Sequence, residues 1–179
     1  EVINQEKSPH IIECNEKKLV LLDIIYRQPR FEKYPFRKML AFANEFGLEP
    51  KKKALTFKSF EDFMKWLNKA EGYEYKYKNQ YVEGFVFEDK DGFQFKTKLG
   101  YYNFWKQLRT VKDLVLIHKD KTKTHNYVES KKGITIHPEQ MDLAHRFVDF
   151  VYEIEDANKL SIIELRNQFL TTKVASLKA

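Results

Sequence analysis

The chain contains one cysteine, Cys14, in 179 residues. An intrachain disulfide is therefore excluded, and so is a thiolate cluster for zinc. No stretch approaches the roughly 18 apolar residues of a membrane-spanning helix, so no membrane partner is expected. The chain opens Glu1-Val2-Ile3-Asn4, without Met, a basic leader or a signal core, which suggests a processed or truncated product. Together these absences point to a reducing, cytoplasmic setting. No internal repeat and no low-complexity segment is visible. His118, His125, His137 and His145 are spaced seven, twelve and eight apart, and none forms the i,i+4 pair of a helical zinc site. No metal is assigned to them or to His10.

What is present is a folded composition, 42% hydrophobic and 32% charged, enough for one good core or two small ones. Lys and Arg number 32 against 26 Asp and Glu, a net charge of +6 that favours a polyanionic partner. Aromatics make up 15%, available for the core or for stacking on bases.

The most informative stretch is Tyr81–Lys98. Two alternating runs flank Asp91-Gly92, a hairpin signal. Period two places Lys96 and Lys98 on one strand face, and Glu83 is well placed to face the same cleft. One carboxylate and two ammonium groups suit a phosphate with its divalent cation. The plainer alternative is a wet strand face with cross-strand charge pairs. Gly84, inside a strand, marks a bulge or a close approach.

The rest of the chain alternates in character. Lys18–Tyr26 reads as a central strand buried on both faces, and Asp23 within it either faces water or is held in a cleft by a partner. Asn15-Glu16 reads as a tight turn. Helical spacing runs over Glu32–Phe46, and again from Ser59, with Asp62 as a capping pair, to Ala70, where Phe60, Phe63, Met64 and Leu67 form the core stripe. Lys51-Lys52-Lys53 is a solvated loop or a phosphate contact, and Thr56–Lys58 a short strand. A helix is expected from Tyr101 to Ile117, with Lys106, Arg109 and Lys112 as a basic ridge. His118–Lys123 reads as a loop, and Gly133–Ile136 is too short to classify. Further helices follow from Pro138 and from Ser161, which pairs with Glu164 as a capping box.

Glu83-Gly84-Phe85-Val86 followed by Phe95-Lys96-Thr97-Lys98 resembles the fourth and fifth motifs of the covalent nucleotidyltransferases, the superfamily of polynucleotide ligases and mRNA capping enzymes. The version with Tyr81-Val82-Glu83-Gly84 before Lys-x-Lys, and with tyrosines such as Tyr101-Tyr102 after it, is similar to the phage-type ATP-dependent RNA ligases. The resemblance extends upstream: Glu1-Val2-Ile3-Asn4, a loop, then Lys18–Ile24 is similar to the third-motif region. It implies an α+β fold. Residues 1–100 would be the C-terminal half of a nucleotidyltransferase domain with an ATP-grasp-like antiparallel sheet, and residues 101–179 a helical domain. It implies ATP and Mg2+ or Mn2+ as cofactors, with Glu83 toward the metal, Lys96 and Lys98 toward phosphates, and Glu1 and Arg27 toward the nucleotide. RNA is the implied partner, met by Lys106, Arg109 and Lys112.

The family's nucleophile stands in a Lys-x-Asp-Gly motif upstream of the third motif. The nearest string here, Lys90-Asp91-Gly92, is the hairpin turn. The missing N-terminal half of the catalytic domain is thus a further implied partner, and the 179 residues alone are expected to be inactive in self-adenylylation. The alternatives are a non-catalytic nucleic-acid-binding module, a helical interaction protein, or a DNA ligase or capping-type enzyme.

Overall fold

The computed structural model describes residues 1–14, 16–130 and 136–176. The expected turn at Asn15 and the unclassified Gly133–Thr135 lie outside the described residues. The fold is α+β, a mixed region to His118 followed by a mainly helical one. By compactness the chain divides into two units, Glu1–Asp62 and Phe63–Ala179.

In the first unit, β1 (Val2–Ile3) pairs antiparallel with β2 (Lys18–Leu21). β3 (Ile25–Tyr26) and β4 (Glu32–Lys33) form a separate antiparallel ribbon. α1 (Phe36–Glu45) buries Met39 and Ala43 and leads to β5 (Glu49–Pro50), which pairs parallel with β2. Four sequence expectations change here. Lys18–Tyr26 is not one strand but two short ones, with Asp23 in the break. β2 is central in the order β1-β2-β5, yet it is not buried on both faces: Leu19 is 56% exposed. Strands only two residues long cannot carry the second layer that would cover it. Asp23 takes the second of its two readings. Lys51 Nζ lies 2.8 Å from its carboxylate and Lys33 Nζ 3.7 Å, so Lys51 serves an internal ion pair. Glu32-Lys33 belongs to a strand rather than a helix, and no strand forms at Thr56–Lys58.

α2 (Phe60–Ala70) starts where expected, with Ser59 Oγ accepting from the Asp62 amide at 3.1 Å. Phe60 is 76% exposed and does not join the core stripe. The second unit, which starts within α2 at Phe63, continues with β6 (Gly84–Glu88) and β7 (Gln94–Lys98), an antiparallel pair in the register Gly84 to Lys98 and Val86 to Lys96. The loop between them is longer than the two-residue turn that Asp91-Gly92 predicts. Asp89 Oδ1 accepts from the amides of Asp91 and Phe93, both at 2.9 Å, while Gly92 takes φ +85°. The alternation then separates two faces. Phe85, Phe87 and Phe95 cluster with Phe63 and Trp66 of α2, with ring centroids 5.1–5.7 Å apart. Val86, Lys96 and Lys98 occupy the other face.

The helical part comprises α3 (Gly100–His118), α4 (Lys121–Ser130), a 3-10 turn (Pro138–Gln140), α5 (Met141–Glu153) and α6 (Ile162–Ser176). α3 and α4 together replace most of the loop expected over His118–Lys123, and Asp120 caps α4 through the Lys123 amide at 3.0 Å. Trp105, fully buried, sits among Phe104, Phe147 and Phe169 with ring centroids 5.3–6.4 Å away. Ser161 and Glu164 form the expected reciprocal cap, at 2.7 and 3.2 Å. Between α4 and α5, His125 Nδ1 lies 2.7 Å from His145 Nδ1. His125 Nε2 lies 3.0 Å from Asp149 Oδ1, and His145 Nε2 3.6 Å from Glu129 Oε1.

Candidate functional site

The site grows out of the β6–β7 hairpin. Burying the phenylalanine face on α2 fixes which way the strands face, and period two then presents Lys96 and Lys98 together on the opposite side. Lys96 is exposed, while Lys98 is half-buried. Lys98 Nζ donates to Glu83 Oε1, and it also lies 4.9 Å from the centroid of the Tyr102 ring. The Lys98 carbonyl accepts from Asn103 Nδ2 at 3.1 Å, and the Leu99 amide donates to the Glu83 carbonyl at 3.0 Å. Backbone and side chain of Lys98 are thereby both held.

Gly84 is required by this arrangement. It faces Lys98 across the ladder, and a Cβ there would collide with the Thr97 carbonyl oxygen and lie 3.0 Å from Lys98 Cα. The close approach is that of the hairpin's own partner strand.

Tyrosines brace the start of the hairpin. Tyr81 stacks on Tyr101 with centroids 3.7 Å apart, and Tyr101 is buried. Burial, with help from the Glu74 carboxylate and Tyr101, pushes the Tyr81 hydroxyl up to about 12. Burial pushes Tyr73, packed 5.1 Å from both Tyr101 and Phe104, higher still. Both hydroxyls stay neutral at ordinary pH, and the tyrosines serve as packing.

The other sequence-derived residues fall as follows. Glu1 lies in the first unit beside a cleft of about 290 Å³ walled by Leu19–Asp23 and Leu48, and its carbonyl accepts from the Val20 amide at 2.8 Å. Arg27 is exposed just past β3. On α3, Lys106 and Arg109 are exposed, whereas Lys112 Nζ donates to the Leu160 carbonyl and ties α3 to the α5–α6 connection. Lys90 sits in the hairpin loop. The structure thus joins Glu83 to Lys98, sets Lys96 on the same strand face as Lys98, and uses Lys112 to pack helices.

Among the described residues, no group of three or more His, Cys, Asp or Glu side chains stands where it would hold a metal ion. A magnesium ion bound through one carboxylate, with phosphate oxygens and water completing its octahedron, needs no such group. Glu83 is the hairpin carboxylate that would take that role.

A family model described as RNA ligase matches residues 1–102, more than half of the 179-residue chain. The chain belongs to the phage-type RNA ligase family. Membership supports an RNA-ligase-like nucleotidyltransferase function. The curated proteins and the solved structures each contain no match to the chain. Among the described residues, no helix is long and apolar enough to cross a membrane.

Proposed function

We propose that this chain supplies the C-terminal part of the nucleotidyl-transfer domain of an ATP-dependent RNA ligase, with a helical region that engages the RNA. The observation that carries the reading is the Glu83–Lys98 pair on a hairpin that also presents Lys96, all within the family match. In this reading a lysine in polypeptide preceding Glu1 attacks the α-phosphorus of ATP and expels pyrophosphate. The AMP passes to an RNA 5′-phosphate, and a 3′-hydroxyl then displaces it to form the new phosphodiester bond.

The roles of the chain's own residues follow from their chemistry. Lys96 and Lys98 place positive charge where negative charge builds on the phosphoryl oxygens. Glu83 orients Lys98 and offers a carboxylate to magnesium, which neutralises phosphate charge when bound. Glu1 meets the nucleotide at the cleft along β2, with Arg27 near the same nucleotide. Lys106 and Arg109 contact RNA phosphates. Lys112, also expected there from sequence, contributes by holding the ridge in place through Leu160. The uncovered apolar side chains of residues 1–62, Leu19 and Leu22 among them, support the need for further polypeptide.

The test uses the protein extended upstream to include its Lys-x-Asp-Gly segment. Incubation with ATP and magnesium should add the mass of AMP, and alanine at Lys96 or Lys98 should slow that step by about 10²-fold. The 179-residue chain alone should form no adduct. A Lys96→Ala/Lys98→Ala variant that adenylylates at the parental rate would overturn the assignment.

A further inference from the structure

Beside the hairpin, within the second unit, lies a polar cleft of about 190 Å³. Helix α3 lines it with Gly100, Asn103, Phe104 and Gln107, which helical spacing brings to one side. Lys98 closes it on the β7 side, and Glu71, His137 and Gln140 complete the wall. Its volume is that of roughly six water molecules at ~30 Å³ each, room for one ring system and not for a duplex.

Gln140 is the informative residue. It is 3% exposed, and its Nε2 has no hydrogen-bond partner among the described residues. A buried amide donor without an acceptor is costly, and nearly all such groups in folded proteins are paired. The acceptor has to come from what enters the cleft that Gln140 lines. Asn103 commits Nδ2 to the Lys98 carbonyl at 3.1 Å, which leaves its Oδ1 as an acceptor. Phe104, buried, gives an apolar floor.

A donor from Gln140 and an acceptor from Asn103 in one cleft complement base edges and ribose hydroxyls. Glu71 in the wall favours hydroxyl or amino donors, and Lys98 in the same wall suits a phosphate. We propose that the cleft binds one ribonucleotide of the RNA strand, its sugar or base against Gln107 and Gln140 and its phosphate toward Lys98. The proposal rests on the ligase reading and adds to it a site that selects RNA.

Two variants of the 179-residue chain test it, with a 5′-phosphorylated single-stranded oligoribonucleotide as probe and fluorescence anisotropy at fixed salt as readout. Gln140→Met removes the unpaired donor at similar volume, so Tm should hold or rise while RNA affinity falls about ten-fold, the loss of one hydrogen bond. His137→Ala, at an exposed position, tests the rim without disturbing the core and should weaken binding several-fold. If the parent binds the oligonucleotide and both variants bind it equally well, the cleft proposal is overturned, whatever happens to Tm. AMP transfer in the extended protein is measured separately, so that result leaves the ligase reading standing.

Discussion

Residues 1–62 bury Ile11, Met39 and Ala43 and leave Val2, Leu19, Leu22, Ile25, Phe31 and Phe46 exposed. The helical part of residues 63–179 does the reverse: Phe104, Trp105, Leu108, Phe147, Val148 and Leu165 are sealed inside it. The two regions draw on the same residue types but differ in layers. The helices wrap around one another, and each apolar stripe finds a facing stripe. The β1-β2-β5 sheet has strands too short to cover itself, and beside it Asp23 pairs with Lys51 and Lys33. A hydrophobic sequence thus marks where burial is wanted, while the topology decides whether this chain can provide it.

The sharpest way to break the comparison is at Trp105. Trp105→Ala should cost about 3–5 kcal/mol, as for other large aromatic truncations in packed cores. It should move the main helical transition in a guanidinium titration followed by circular dichroism. An unchanged midpoint would mean that the helical core is no tighter than the sheet region.

A smaller effect is expected at the hairpin. Gly84→Ala forces a methyl against the Thr97 carbonyl and should cost about 1–3 kcal/mol, the usual range for overpacking. Hydrogen exchange should show the loss confined to the β6–β7 amides. Protection unchanged there would show that the strands are spaced more loosely than their register implies.

The smallest is at the start of α6. Ser161→Ala should cost about 1 kcal/mol, the typical value of a serine cap. Hydrogen bonds from the Ser161 amide hold the Glu164 carboxyl below its usual range. The stability this adds is complete above the unfolded carboxylate value of about 4.3 and is lost as pH falls through the lower folded value. A Tm series from pH 6 to pH 3 on Ser161→Ala and on Glu164→Gln checks this. The glutamine variant should lose less stability on acidification than the parent, and parallel curves would remove Glu164 from the account.

Legibility followed the range of the interactions. The hairpin, the Ser59 and Ser161 caps and the Lys96/Lys98 face were readable because alternation and capping act within a few residues. The pairing of Glu83 with Lys98 was not, because the register across the hairpin is not written in either strand, and Glu83 stands just before β6. The split of Lys18–Tyr26 around Asp23 was not, because Lys51, which pays for that carboxylate's burial, stands 28 residues away. α4 was hidden behind a run of charge that Asp120 turns into a cap. The polar cleft was hidden too: Asn103 and Gln107 are spaced as one helical turn, but nothing local ties them to Gln140. The exposed state of Leu19 had no signal at all, because a continuous apolar run looks the same whether or not a second layer covers it.

The imidazole pair between α4 and α5 works as a clasp. Hydrogen bonds from Lys121 and His125 outweigh the effect of burial and keep Asp149 ionised, so it can only accept. His125 therefore donates to it from Nε2. Its Nδ1 shares one hydrogen with His145 Nδ1, because two hydrogens or none across 2.7 Å would repel. One carboxylate on α5 thus fixes how a ring on α4 is turned, and through the shared hydrogen the two rings join the helices that carry them. Exchanging Asp149 for asparagine, which can donate as well as accept, would release that constraint.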